Sequence, residues 1–386
     1  MDLHVIELLH YLVRWLHVIA AVSWGGRLIL FLAIKESEPG DLAGGKWITH
    51  GDGFYLLQKR NINAGNAPKP GRLKTDILLT WVSGVCLLAL LYYADIKSYA
   101  AERIALLFPG AVAVFAAAAI ALSWFAYDLT WLRLGRKHPR RALLLSLTVL
   151  SLFAYGFCRI LAGPAAYIHV GAMLATWMLG NAWLRNVPVH RIMVEAAAAG
   201  KKPNRELALS ARQRSVHNSF LLFPVVLLMM SGHFAAATTS PRNWIILLCL
   251  VLFGLSVCYM LTRADRHPVR GAVGAAISLV IIVALVASFQ ARTPARAATY
   301  VSFTEAQAII ANRCTVCHSA HPSVDEAGEI PPNVWFDSRA QIQRFARRIN
   351  SRAVLFDTMP PNNRTEMTEE ERRKIGQWFA EGAPAD

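Results

Sequence analysis

Apolar residues gather along this chain in eight long runs, separated by short polar and basic stretches. A helix crossing the hydrocarbon core of a bilayer needs roughly 20 apolar residues. The runs at 6–34, 77–94, 105–127, 143–161, 165–183, 219–237, 244–261 and 271–289 all approach or exceed that length. They predict an eight-helix transmembrane bundle over residues 1–289. The first run is full length and lacks a basic leader, so it reads as a retained span and not as a cleavable signal peptide. The texture then changes. Residues 290–300, with Pro294 and several alanines, read as a tether, and residues 301–386 as a small helical domain. The expected fold class is all-α throughout. Within the last domain, Ser302 with Glu305 and Thr368 with Glu371 have the capping-box spacing and open two amphipathic helices.

Composition agrees with the pattern: 55% of residues are hydrophobic, 17% are charged, and the mean hydropathy is +0.35. The net charge of +15 matters for where it lies. From Gln290 onward 12 basic and 12 acidic residues balance, so the whole excess belongs to the first 289 residues. The segments after runs one, three, five and seven hold 22 Lys and Arg, including Lys59, Arg140, Lys201 and Arg266. Those after runs two, four and six hold only Lys97, Arg103 and Arg242. Basic loops stay cytoplasmic, so both termini are expected on the opposite, periplasmic side of a bacterial inner membrane. The alternation also argues against nucleic acid as a partner, because the charge follows topology and not one continuous surface. The expected surroundings are membrane lipid.

Cys314-Thr315-Val316-Cys317-His318 is the attachment motif of a c-type haem. Two thioethers tether the porphyrin, and His318 supplies the proximal nitrogen to iron. A zinc site would need a second Cys/His pair at suitable spacing, and none follows. The loop at Thr358-Met359-Pro360-Pro361 can present Met359 as the sixth ligand, with Met367 as the alternative. Met/His ligation raises the haem potential and suits an electron acceptor. Such haems are attached outside the cytoplasm, where the charge pattern independently places this end.

Ionisable groups within membrane spans are costly and mark function by default. His10, Arg14 and His17 recur at i, i+4 and i+7, which places them on one helical face, expected to point into the bundle. Arg159, His169 and His233 lie at the outer ends of their runs. Two of His10, His17, His169 and His233 could hold a b-type haem, with Arg14 or Arg159 beside its propionates. Each could instead hydrogen-bond a neighbouring helix, and the residues alone leave both readings open. Cys86, Cys158, Cys249 and Cys258 are isolated and read as packing residues.

A second cluster lies on the inner side. Residues 46–59 set His50, Asp52 and Lys59 among Trp47, Phe54 and Tyr55, while Arg214-Ser215-Val216-His217-Asn218 leads into run six. Aromatic faces, amides and positive charge suit a planar anionic heterocycle. Alternatively, residues 46–59 form an amphipathic helix on the lipid surface.

The stretches Leu9–Ala20, Trp47–Lys59, His169–Met173 and Arg214–Asn218 with Pro224 resemble the bacterial membrane-bound urate oxidases, or urate hydroxylases. The resemblance covers nearly the whole chain, including the order of eight spans then cytochrome c. Asp52 stands where another glycine is expected, and Val216 where a more polar residue is. The resemblance implies a purine-degrading oxidoreductase that converts urate to 5-hydroxyisourate. Electrons would pass to the fused cytochrome c, then to a terminal oxidase or soluble cytochrome, without hydrogen peroxide. His50 or His217 would act as base and Lys59 as a stabiliser of the anion, with Asp52 and Asn218 completing the site. The rival readings are a membrane cytochrome relaying electrons from quinol, and an oxidase of another small metabolite on the same scaffold. A haem–copper oxidase would need an adjacent histidine pair, which the chain lacks.

Overall fold

A computed structural model of the chain describes residues 3–33, 46–50, 53–57, 73–94, 109–202, 204–238, 240, 242–263, 268–292, 301–323, 334–355 and 358–384. The chain divides into two compact units, the first made of residues 1–238 and 242–285 and the second centred on residues 286–386.

Over the described residues, each of the eight apolar runs lies mostly in a helix, run six leaving its helix after Met229. The helices are α1 (Leu3–Ala33), α2 (Leu73–Leu88), α3 (Pro109–Leu134), α4 (Pro139–Ile160), α5 (Gly163–Gly180), α6 (Val187–Ala198), α7 (Arg205–Met229), α8 (Asn243–Arg263) and α9 (Pro268–Arg292), with α6 added beyond the fifth run. Among the described residues, four helical stretches are long and apolar enough to cross a membrane: Thr75–Tyr93, Gly110–Leu134, Pro139–Ile160 and Asn243–Thr262. Helix α9 continues to Arg292, so the first residues of the expected tether are helical; 293–300 lie outside the described residues.

The all-α expectation holds for the fold class, with one short strand pair added to it. Strands β1 (Lys46–His50) and β2 (Gly53–Leu57) pair antiparallel, with His50 opposite Gly53 and Thr49 opposite Phe54. Their β-branched and aromatic residues fit a pleated backbone better than a helix. The alternative of a surface helix at 46–59 therefore fails over the described residues.

The core of the first unit lies among α3, α4, α5, α7 and α8, with Trp124, Tyr127, Phe157, Tyr167, Met173, Trp177 and Leu247 buried together. Two glycines set its close approaches. A Cβ on Gly180 would fall 2.5 Å from the Trp124 ring, and one on Gly254 would fall 2.7 Å from the Pro224 nitrogen. Pro224 lacks an amide hydrogen and interrupts the ladder of α7, and Gly254 lets α8 pass against that point. A second apolar cluster joins Trp24 of α1, Ile77 of α2, Met178, Ala182 and Leu222. Cys249 and Cys258 are buried, Cys158 is half-buried and Cys86 is exposed, all as free thiols.

The second unit packs α10 (Phe303–Arg313), α11 (Arg339–Ile349) and α12 (Glu369–Ala380) around Phe303, Ile310, Ile342, Ile375 and Trp378. Both predicted caps form, one of them by half. Thr368 and Glu371 make the full reciprocal box. Ser302 accepts the Glu305 amide at 3.2 Å, but the Glu305 carboxylate pairs with Lys374 at 2.6 Å instead of closing the box.

Candidate functional site

The densest buried polar network of the first unit joins α3, α7 and the wide turn that follows α5. Asn181–Asn186 is a π-helical segment, and such segments often occur at functional sites because they re-aim several side chains at once. Asn181 sits at its start with no exposure. Its Nδ2 donates to the Asn218 Oδ1 at 2.9 Å and to the Tyr127 hydroxyl at 3.0 Å, and its Oδ1 accepts from Arg214 at 3.0 Å. Asn218 in turn donates to the Met178 carbonyl at 2.8 Å. The Tyr127 hydroxyl shares a 2.7 Å hydrogen bond with His217 Nδ1. Trp131 lies 4.1 Å from the His217 ring, and Trp177 stacks on Tyr127 at 4.4 Å.

Charge in this network is concentrated on Asp128. Its carboxylate accepts from Arg214 at 2.7 Å and from Arg185 Nε at 2.9 Å, with a further contact from Arg185 to Oδ2. Two guanidiniums and one carboxylate leave the group with one net positive charge. Arg214 also lies 5.3 Å from the Tyr127 ring centroid. This arrangement sets net positive charge and a proton acceptor, His217, side by side.

His217 and Asn218, both expected from sequence, are thus joined through Tyr127 and Asn181. His50 lies at the end of β1, and its side chain is outside the described residues, as are Asp52 and Lys59 altogether. Tyr127, Asp128, Asn181 and Arg185 were not anticipated. Run three appeared to end at Tyr127, which put Asp128 in a loop; α3 in fact continues to Leu134. The same shortfall at Trp183 hid Arg185. The costliness of ionisable groups in a helical core would have found both, had the helix ends been known.

Among the expected membrane histidines, His169 is the most distinctive. It is fully buried, its Nδ1 donates to the Ala165 carbonyl at 2.8 Å, and its Nε2 has no partner among the described residues. Tyr92, Tyr93 and Phe157 surround it at 5.6–5.7 Å between ring centroids. A histidine held through Nδ1 with a free Nε2 has the orientation of a metal ligand. His17 is turned to α2, where Nδ1 meets the Thr80 carbonyl and Ser83 Oγ, both at 3.0 Å. His10 is half-buried, and the side chain of His233 lies outside the described residues. Arg14 is exposed, so the expectation that it shares an inward face with both histidines is corrected. The packed stripe of α1 runs through His10, Val13, His17, Ala20 and Trp24, a helical row that leaves i+4 from His10 just outside it. Arg159 is exposed and lies 4.9 Å over the Tyr155 ring.

In the second unit, α10 delivers the Cys-x-x-Cys-His segment. The Cys317 and His318 amides both donate to the Cys314 carbonyl, at 3.1 and 2.8 Å, which coils the segment into one turn. His318 Nδ1 donates to the Val334 carbonyl at 3.0 Å, leaving Nε2 for a metal. Burial pulls the His318 pKa below its ordinary value, against the opposing effect of that hydrogen bond. The two methionines differ. Met367 is 3% exposed and part of the apolar core. Met359 is half-buried on a loop whose backbone is fixed by bonds to Arg352 and Arg372. Two free thiols, a histidine held through Nδ1 and a half-buried thioether are the donor set of a c-type haem, and the residues fit that group.

The family model of the Urate oxidase N-terminal family matches residues 3–289, three quarters of the chain and all of the buried network. The chain belongs to the urate oxidase N-terminal family. Curated proteins offer no match to it, and neither do solved structures. Family membership covers residues 3–289, and the rest of the chain lies outside the match.

Proposed function

We propose that the protein is a membrane-embedded oxidoreductase that converts urate to 5-hydroxyisourate and passes the electrons to its own c-type haem. The observation that carries the reading is the buried Arg214–Asp128 pair beside His217, with the half-exposed Arg185 on the same carboxylate, within the segment matched by the urate oxidase family. Its single net positive charge complements a monoanion, and the stacked Tyr127 and Trp177 with Trp131 wall the group with aromatic rings.

The chemistry balances with water as the oxygen source. Urate monoanion and one water give 5-hydroxyisourate, two electrons and one proton. His217 receives the proton at the ring nitrogen not bonded to Tyr127, His50 being the second candidate base. Arg214 and Lys59 stabilise the anion, and Asn218 and Asp52 help orient it. Cys314, Cys317, His318 and Met359 would hold a c-type haem, which would supply one-electron acceptance in place of oxygen, so that no hydrogen peroxide would form. An intramembrane b haem would be held by His169 together with one of His10, His17 or His233, and would supply electron transfer between the substrate site and the cytochrome domain. A terminal oxidase or a soluble cytochrome then takes the electrons onward.

Membrane insertion is supported by large apolar side chains left exposed around the helices, among them Val114, Phe115, Leu122, Phe125, Leu144 and Leu152. Water would not tolerate so continuous an apolar surface. With the basic segments cytoplasmic, urate enters from the inside and the cytochrome domain is periplasmic. All eight apolar helices are read as spans.

The test is anaerobic addition of urate to membranes containing the full-length protein while the α-band of the c haem is followed. Urate-dependent reduction is the expected outcome, with two haem equivalents reduced per urate. Reduction by quinol but not by urate would instead favour an electron carrier.

A further inference from the structure

Arg159 is the only charged residue in the apolar run 143–161, and the oxidation chemistry gives it no task. Phe157 of the same helix meets His169 at 5.7 Å between ring centroids. Arg159 lies two residues on, about 200° around α4, and so points away from anything held at His169. It is exposed, with its guanidinium 4.9 Å from the Tyr155 ring centroid. On the expected topology it also stands at the outer end of its span, where basic residues are disfavoured. A cation kept in such a place calls for a counterpart.

Beside it lies a groove of about 470 Å³, lined by Leu144, Leu147, Leu152 and Tyr155 of α4 and by Trp244 of α8. The α4 positions follow one helical row. From Leu144 to Tyr155 that row rises about 16 Å at 1.5 Å per residue, about half of the roughly 30 Å hydrocarbon core. Thr148 and Ser151 interrupt the apolar lining, and Thr148 donates back to the Leu144 carbonyl at 3.0 Å. Leu144 and Leu152 are exposed, so the groove opens sideways, away from the core. At its far end Tyr155 and Trp244 meet edge to face at 5.5 Å, and Arg159 covers Tyr155. Tyrosine and tryptophan favour the level of the lipid headgroups. The groove is thus apolar over the depth of one leaflet and ends in two aromatic rings and a cation.

We infer that this face binds an anionic phospholipid of the outer leaflet, with an acyl chain in the groove and the phosphate on Arg159. The inference rests on the membrane-embedded reading above and is independent of the substrate. Charge complementarity selects the occupant. A guanidinium offers paired N–H donors to a phosphate, and a zwitterionic lipid would bring its own cation up against Arg159. Free phosphate would meet the same guanidinium but has no chain to fill the groove.

Carbonate washing of membranes tests insertion first; release of the full-length protein would overturn the membrane reading and this inference with it. The retained protein, purified in a non-ionic detergent and washed free of lipid, is then melted against phosphatidylglycerol, phosphatidylcholine or inorganic phosphate. Phosphatidylglycerol should raise the midpoint at about fivefold lower concentration than phosphatidylcholine, the effect of one cation at an anionic lipid surface. Phosphate alone should do nothing. Arg159→Gln should abolish the preference, and Leu152→Trp, which fills the groove, should weaken the response to both lipids. Both positions are exposed, so the midpoints without lipid should match wild type. Equal response of the wild type to the two lipids, or an unchanged preference in Arg159→Gln, overturns the inference while the membrane reading stands. So does a response to phosphate equal to that for phosphatidylglycerol, or an unchanged lipid response in Leu152→Trp.

Discussion

Arg214 of α7 donates to the Asp128 carboxylate of α3 at 2.7 Å, with the two side chains only 4% and 8% exposed. A buried ion pair seldom adds much stability by itself, but losing one partner is severe because the other charge is stranded. Here the carboxylate also holds Arg185, so one residue positions both cations of the network.

Asp128→Asn should therefore destabilise the first unit by about 3–5 kcal/mol, the usual effect of breaking a buried pair. Thermal unfolding in detergent checks this. An Asp128→Leu, Arg214→Met double variant should recover much of the stability yet show no urate-dependent haem reduction, since both charges go together. Recovery of activity in that double variant would remove the network from the mechanism.

His217→Ala should lower kcat by about 10²–10⁴-fold, the usual contribution of a positioned acid or base, with a smaller loss for Tyr127→Phe. Stopped-flow reduction of the c haem measures both. Should His217→Ala and His50→Ala each keep full urate-dependent reduction, neither residue is the base.

The two methionines give opposite expectations. Met359→Ala should abolish the long-wavelength sulfur-to-iron charge-transfer band and lower the haem potential, with little change in unfolding. Met367→Ala should keep the band but cost about 2–5 kcal/mol, as removal of a buried methionine does. Absorption spectra and thermal melts of the two proteins separate the roles.

Glu371 gives the second unit an acid-sensitive element. Burial alone would raise its carboxyl, but the Thr368 amide and the Arg313 guanidinium outweigh that and bring it below its ordinary 4.5. A depressed carboxylate stabilises the fold fully above the unfolded value and loses that contribution as pH falls through the folded one. Glu371→Gln should flatten the loss of stability below pH 4.5, read by circular dichroism melts across the acid range.

Much of this architecture was legible residue by residue. Apolar runs at helical length located all eight long helices, and Thr368 with Glu371 marked the start of α12 to the residue. The hairpin at 46–57 was not legible as such, since its aromatic and polar residues fit a surface helix nearly as well. His217 and Asn218 stood out beside the entry to run six. Asp128 and Arg185 did not, because hydropathy falls off before the helix does, and charged residues at a run's edge look like loop residues. Arg14 failed in the other direction: spacing of four places it near His10, but only packing decides where the inward stripe ends.

The sequence by itself determined the class of chain, the positions of its long apolar helices and the Cys-x-x-Cys-His motif. Each of these depends on local spacing, either of apolar side chains along a helix or of cysteines and histidine within one turn. Tertiary structure decided which charges meet. Asp128, Arg185 and Arg214 are 29 to 86 residues apart in pairs, and no local pattern encodes that encounter. It follows from α3, the π-helical turn after α5 and α7 packing together. There, burial makes each charge depend on the others.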